Sequence, residues 1–116
     1  MQDLGTLGGN LSSGNAITRD GSVVVGGSSL LGGGTHAMLW NSTQGMVDLN
    51  TYLPSIGIDL TGWTLTSALG ISADGSAIAG YGKYNGIDRA YLVTIPAPAT
   101  PWVLAVGGVL VLRRRR

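Results

Sequence analysis

The side chains able to do chemistry in this 116-residue sequence are few. They are one histidine, His36, and six aspartates, Asp3, Asp20, Asp48, Asp59, Asp74 and Asp88, with no glutamate and no cysteine. A lone histidine becomes a general base only beside an activated hydroxyl, and no Gly-x-Ser-x-Gly elbow is present. His36 is therefore expected at a strand start, with its ring bonded to backbone. Asp20 and Asp74 each precede a glycine. Neither stands in the Asp-x-Asp-x-Asp-Gly spacing that gathers oxygens around calcium, so both are expected as turn residues. The glycine-rich stretches lack the Lys-Ser/Thr of a phosphate cradle and the strand-to-helix setting of a dinucleotide site. The expectation is a chain with no catalytic residues, no metal ligands and no cofactor. Trp40 and Trp63 could stack on sugar rings, but are expected to fill the core.

The body that would hold these residues is short of charge. Charged residues are 11% of the chain and Gly is 20 of 116, against roughly 25% and 7% in ordinary domains. Short Val, Ile, Leu and Trp clusters argue for a folded β protein rather than disorder. Four of the seven basic residues are Arg113 to Arg116. The remaining Arg19, Lys83 and Arg89 face six aspartates, which leaves the body near −3. So few scattered cations cannot neutralise a row of phosphates, which excludes nucleic acid as a partner.

Two segments repeat each other in order. Met1-Gln-Asp-Leu-Gly-Thr-Leu resembles Met46-Val-Asp-Leu-Asn-Thr-Tyr. Ala16-Ile-Thr-Arg-Asp-Gly-Ser-Val-Val-Val-Gly resembles Gly70-Ile-Ser-Ala-Asp-Gly-Ser-Ala-Ile-Ala-Gly, and His36-Ala-Met-Leu-Trp resembles Arg89-Ala-Tyr-Leu-Val. The predicted units are 1–45 and 46–95, the second degenerate and carrying an insertion at 54–63. Within each, a strand meets Asp-Gly at a tight hairpin, a second strand follows, and a glycine-rich loop (Leu30 to Thr35; Gly82 to Asp88) leads to a third. Met1 to Leu4 and Met46 to Leu49 read as further short strands, and Asp48 to Pro54 as one helical turn stopped by the proline. Gly62 to Ala68 is strand-like. The predicted fold class is all-β: short antiparallel strands in two propeller-blade-like repeats. Two such units are fewer than stable stacking needs, and no signal peptide is visible, so further units are expected upstream in a longer chain.

The last stretch, 96–116, has its own order. Pro96, Ala97 and Pro98 break regular structure, and Pro101 extends the break. Then come Trp102, Val103, Leu104, Ala105, Val106, Gly107, Gly108, Val109, Leu110, Val111 and Leu112, an apolar run of eleven. Arg113, Arg114, Arg115 and Arg116 end it. A full membrane span takes about 20 apolar residues, so this one is short. The expectation is a C-terminal helical membrane segment with an interfacial Trp102 and a basic stop that stays cytoplasmic. The alternative is a buried strand with a solvated basic end.

Met1-x-Asp-Leu-Gly-Thr-Leu-Gly-Gly, the Ala16-Ile17 strand, Gly21-x-Val-Val-Val-Gly26 and His36-Ala37-Met38-Leu39-Trp40 together resemble the bacterial extracellular HAF-repeat family, named for a His-Ala-Phe triplet. The second unit reads Arg89-Ala90-Tyr91 at that place. The tail resembles a PEP-CTERM sorting signal, with Pro-Ala-Pro in place of Pro-Glu-Pro. These resemblances imply a non-enzymatic exported or cell-surface protein of the envelope. They also imply membrane retention by the tail and an exosortase-type processing enzyme as partner. The other reading is a carbohydrate-binding or enzymatic propeller fragment whose site lies in upstream blades.

Overall fold

The structure, a computed structural model, describes residues 1–95. The sorting motif Pro96 to Pro98, the apolar run Trp102 to Leu112 and the four arginines lie outside the described residues. Those described form seven strands and one helix: β1 (Gly8–Ile17), β2 (Val23–Leu30), β3 (Thr35–Asn41), β4 (Gly45–Asp48), α1 (Leu49–Ser55), β5 (Trp63–Ile71), β6 (Ala77–Tyr84) and β7 (Ile87–Thr94). The fold is all-β, two antiparallel sheets of order β1-β2-β3-β4 and β5-β6-β7. No helix among the described residues is long and apolar enough to cross a membrane.

The two Asp-Gly hairpins share one set of bonds. In the first, Thr18 N–H donates to Val23 O at 3.0 Å and Gly21 N–H to Thr18 O at 3.0 Å. In the second, Ser72 N–H donates to Ala77 O at 2.9 Å and Gly75 N–H to Ser72 O at 3.0 Å. Gly21 (φ 77°) and Gly75 (φ 81°) take the left-handed conformation that a Cβ disfavours. Asp and Gly thus occupy the last two positions of a four-residue turn, not the tip of a two-residue one. The reason is chemical: hydroxyls on both sides of each aspartate reach its carboxylate and fold the loop around it. The two turns also touch, Arg19 N–H donating to Ala73 O at 3.0 Å.

Elsewhere the chain differs from its sequence reading. Gly82 to Asp88 is not a loop. β6 runs on to Tyr84 and turns at Asn85 (φ 51°) and Gly86 (φ 84°), the two-residue Asn-Gly turn that suits strand twist. Met1 to Leu4 is not a strand; the first pairing is a parallel bridge between Leu7 and Leu30. α1 continues one residue past Pro54, because a proline in the last turn removes little hydrogen bonding. Gly57 (φ 93°) then closes the helix, its N–H donating to Pro54 O at 3.1 Å. β4, though it opens the second sequence unit, pairs with β3, Leu39 standing opposite Val47.

Both first strands are bulged at the same point. Asn15 is the extra residue in β1 and Leu69 in β5. At each bulge the partner strand comes so close that only glycine fits. A Cβ on Gly26 would overlap Ser13 O, and one on Gly80 would overlap Ser67 O.

One core joins the sheets. The first supplies Val25, Ala37 and Leu39; the second supplies Leu65, Ala68, Ile78, Tyr91 and Val93. Leu49 and Leu53, one helical turn apart, add the apolar stripe of α1. β5 lies across β1, β2 and β3. Trp63 packs against this core. Trp40 does not: it stands on the opposite face of the first sheet, aligned with Val24 and Met46. Residues alternate faces along a strand, so placing Leu39 inward turns Trp40 outward.

Candidate functional site

His36 sits one residue into β3, and its ring meets a side chain rather than backbone. Its Nδ1–H donates to Asp48 Oδ2 at 2.6 Å. The two are 12 residues apart and meet because β3 and β4 pair with Met38 opposite Asp48. That places His36 diagonally across the ladder, within reach of a long side chain. Asp48 is also the N-cap of α1. Its other oxygen accepts Asn50 N–H at 2.8 Å and Asn50 Nδ2–H at 3.0 Å. The Asn50 amide then pairs with Leu65 as a strand would, donating to Leu65 O at 2.8 Å and accepting Leu65 N–H at 2.7 Å. A continuous polar strut therefore runs from β3 through the cap of α1 to the first strand of the second sheet.

A carboxylate on Nδ1 is the arrangement that orients a catalytic imidazole. A hydroxyl within reach of the other ring nitrogen is then required. The nearest serine by register is Ser28, opposite His36. Its hydroxyl is spent on backbone: it accepts Leu7 N–H at 2.8 Å and lies 3.1 Å from Ser29 O and 3.3 Å from Leu11 O. With Ser28 1% exposed, it anchors the N-terminal segment to β2. The strut joins sheets; among the described residues it assembles no nucleophile.

The aspartates of the hairpins are likewise occupied. Asp20 Oδ1 accepts Thr18 Oγ1–H at 2.9 Å, Ser22 N–H at 3.0 Å and Ser22 Oγ–H at 2.7 Å. Asp74 Oδ1 accepts Ser72 Oγ–H at 2.8 Å, Ser76 N–H at 3.0 Å and Ser76 Oγ–H at 2.8 Å. These donors favour the ionised form. The Ser22 hydroxyl leads in holding Asp20 below the usual carboxylate range, and the Ser76 N–H leads in holding Asp74 down to about 2. Both behave as turn residues. Among the described residues, no three His or Asp side chains gather as metal ligands.

Among the described residues, two adjoining concave features lie around Trp63, and a third, of about 410 Å³, lies between Ser12, Gly27, Thr35, Ser67 and Tyr81. A groove of about 560 Å³ is lined by Pro54, Ile58, Asp59, Leu60, Thr61 and Trp63, the stretch read from sequence as an insertion. A cleft of about 360 Å³ shares Trp63 and continues to Leu65, Tyr91 and Val93. The Trp63 ring lies 5.1 Å from Tyr84, tilted by 40°, and 6.3 Å from Tyr91, edge-on at 74°. The Asp59 carboxyl is turned into its own loop, lowered in pKa first by the Thr61 hydroxyl and then by the Thr61 N–H. Tyr91 donates its hydroxyl to Ser67 O at 2.9 Å, and burial pushes its pKa up to about 12. The groove thus offers an aromatic wall and backbone, and it suits a ring that stacks rather than a charged ligand.

Sequence reasoning named His36, Asp20, Asp74 and Trp63 but missed Asp48 as a cap and Asn50 as a link. The signal was present: Asp48-Leu-Asn ahead of a helical turn is an N-cap pattern. No known family, characterised protein or solved structure matches the chain.

Proposed function

We propose that the chain is a non-enzymatic exported or cell-surface protein of the bacterial envelope. On this reading its two sheets are blade-like repeats, and residues 96–116 direct membrane retention and sorting. The observation that carries the proposal is the order of the tail: Pro96-Ala97-Pro98, then Trp102 to Leu112, then Arg113 to Arg116. An apolar run closed by four arginines resists full translocation and leaves the arginines in the cytoplasm before any processing. The body is compatible with a passive role. His36, Asp20, Asp48 and Asp74 are all engaged in holding turns, a cap and a sheet junction. The implied partners are the membrane and an exosortase-type processing enzyme.

The test is to fuse Ile95 to Arg116 to an exported reporter and follow its fractionation and size. Retention in the membrane is expected, with release rising when Arg113 to Arg116 are replaced. Free release of the unaltered fusion overturns the reading. Replacing Ala97 with Glu is expected to increase processing where the sorting enzyme is present.

The aromatic wall at Trp63 favours a second role, carbohydrate binding. Titration of the full chain with oligosaccharides, followed by Trp fluorescence, tests it against Trp63→Ala. A signal unchanged by saturating sugar removes this role without touching the first.

A further inference from the structure

The two sheets bury opposite faces against each other; the second leaves its complementary face bare, whereas the first leaves its own only partly covered, Met38 on that face being 1% exposed. Aligning the repeated segments matches Val25 with Ala79, Gly27 with Tyr81, Ala37 with Ala90 and Leu39 with Leu92. In the first sheet this face is the core face: Val25 and Ala37 are fully buried and Leu39 is 4% exposed. In the second sheet the matching face is open, with Leu92 72% and Tyr81 51% exposed and Ala79 and Ala90 exposed. Register makes it contiguous, Ala79 opposite Leu92 and Tyr81 opposite Ala90. The bulged Leu69, 54% exposed, joins it beside Ala79.

The reverse faces show the converse. Ile71, Ile78 and Val93 of the second sheet belong to the shared core or pack on it. Their counterparts in the first sheet are Ile17, Val24 and Trp40. Ile17 is 56% exposed and the other two are half-buried. Ile17 stands opposite Val24, and Val24 opposite Trp40, so they too share one face.

We infer that the open face of the second sheet (Leu69, Ala79, Tyr81, Ala90, Leu92) docks on the reverse face of the first sheet (Ile17, Val24, Trp40) of a second copy of this chain. The internal junction is the template, since the intermolecular contact continues the same front-to-back stacking by one more step. Such a contact uses two different patches and is heterologous, so it propagates or closes into a ring rather than stopping at a two-fold dimer. It departs from the template at two points. The first is Met38, the counterpart of Tyr91, which is already buried within the chain and leaves Ile17, Val24 and Trp40 as the contact. The second is Gly27. Gly27 admits β5 closely, its Cβ position lying 3.5 Å from Thr66 O. Tyr81 stands there in the second sheet, so the copies lie farther apart and the phenol fills the gap. This inference concerns the body of the chain and does not rest on the role given to the tail.

Sedimentation velocity of the full chain, in one mild detergent throughout, tests it with Leu92→Asp, Ile17→Asp and their mixture. Both positions are exposed, so thermal unfolding of each variant serves as the folding control; Leu92→Lys repeats the first with opposite charge. The unaltered chain is expected to form species larger than a dimer as concentration rises. Each variant alone is expected to associate at least about tenfold more weakly, because a charge must be buried at the contact. The equimolar mixture is expected to recover a heterodimer and nothing larger, one intact donor face meeting one intact acceptor face. Three outcomes overturn the inference. One is a monomer at every concentration, as when the tail covers the face. Another is association insensitive to both substitutions, and the third is loss with Leu92→Asp but not with Ile17→Asp.

Discussion

The hairpin at Asp20-Gly21 and the hairpin at Asp74-Gly75 carry the same backbone bonds and the same three-donor carboxylate. The strands leading from them nevertheless have inverted exposure, Leu39 at 4% and its counterpart Leu92 at 72%. Turn chemistry is local: it needs only an aspartate, a glycine and flanking hydroxyls within five residues. Burial belongs to neighbours. The first sheet has a second sheet against its Leu39 face, and within the described residues the second sheet has none against its Leu92 face. Similar sequence therefore yields equal turns and unequal energetics.

The largest effect that sharpens this contrast is expected at the matched leucines. Leu39→Ala should cost about 2–5 kcal/mol in chemical denaturation, through lost burial and a cavity. Leu92→Ala should stay within about 0.5 kcal/mol under conditions where the chain is monomeric. Comparable losses would break the assignment of faces. Next come the bulge glycines, where the sheets should behave alike. Gly26→Ala and Gly80→Ala each drive a Cβ into a carbonyl, and each is expected to cost about 1–3 kcal/mol. A tolerated substitution at one of them alone would show that the two bulges are not equivalent.

The matched aspartates Asp48 and Asp3 should differ again. Asp48→Ala loses a helix cap and strands His36 and Asn50, for about 2 kcal/mol. Asp3→Ala removes one exposed bond to Gly5 N–H and should be nearly silent in thermal melts. Tyr91→Phe is expected to cost about 1 kcal/mol, the net worth of its bond to Ser67 O. Because the folded pKa of Tyr91 is raised, its contribution is present below the ordinary value of 10.0 and fades toward about 12. Alkaline melts of the Phe variant should lack that component. The smallest effect is at acid pH. Asp20 and Asp74 have lowered folded pKa values, so their stabilisation is present above the ordinary 3.8 and is lost as pH falls below it, for Asp74 toward about 2. Replacing both with Asn should flatten the thermal melting temperature over that window.

Much of the fold was legible beforehand. The β class, the two Asp-Gly turns and the strands flanking them follow from apolar clusters and from Gly at positive φ. The helical turn after Asp48 was visible as well. The end of β6 is masked in the sequence by Gly82, which precedes Asn85-Gly86, the stronger turn signal. Met1 to Leu4 is not a strand despite its likeness to Met46 to Leu49, because a likeness in sequence supplies no pairing partner. The His36–Asp48 bond could not be foreseen, since it depends on the register of β3 against β4.

The sequence by itself determined the turns, the cap before α1 and the separate character of residues 96–116. Each is fixed by short-range sterics, by hydrogen bonding between near neighbours or by composition along one stretch. Only the tertiary structure decided which face of each sheet is core, that Asn50 ties the first sheet to Leu65, and that Trp63 lines a groove while Trp40 lies outside the core. Those outcomes depend on the placement of β5 across β1, β2 and β3. No local pattern encodes that placement, because both faces of each sheet carry apolar residues and either could have been buried.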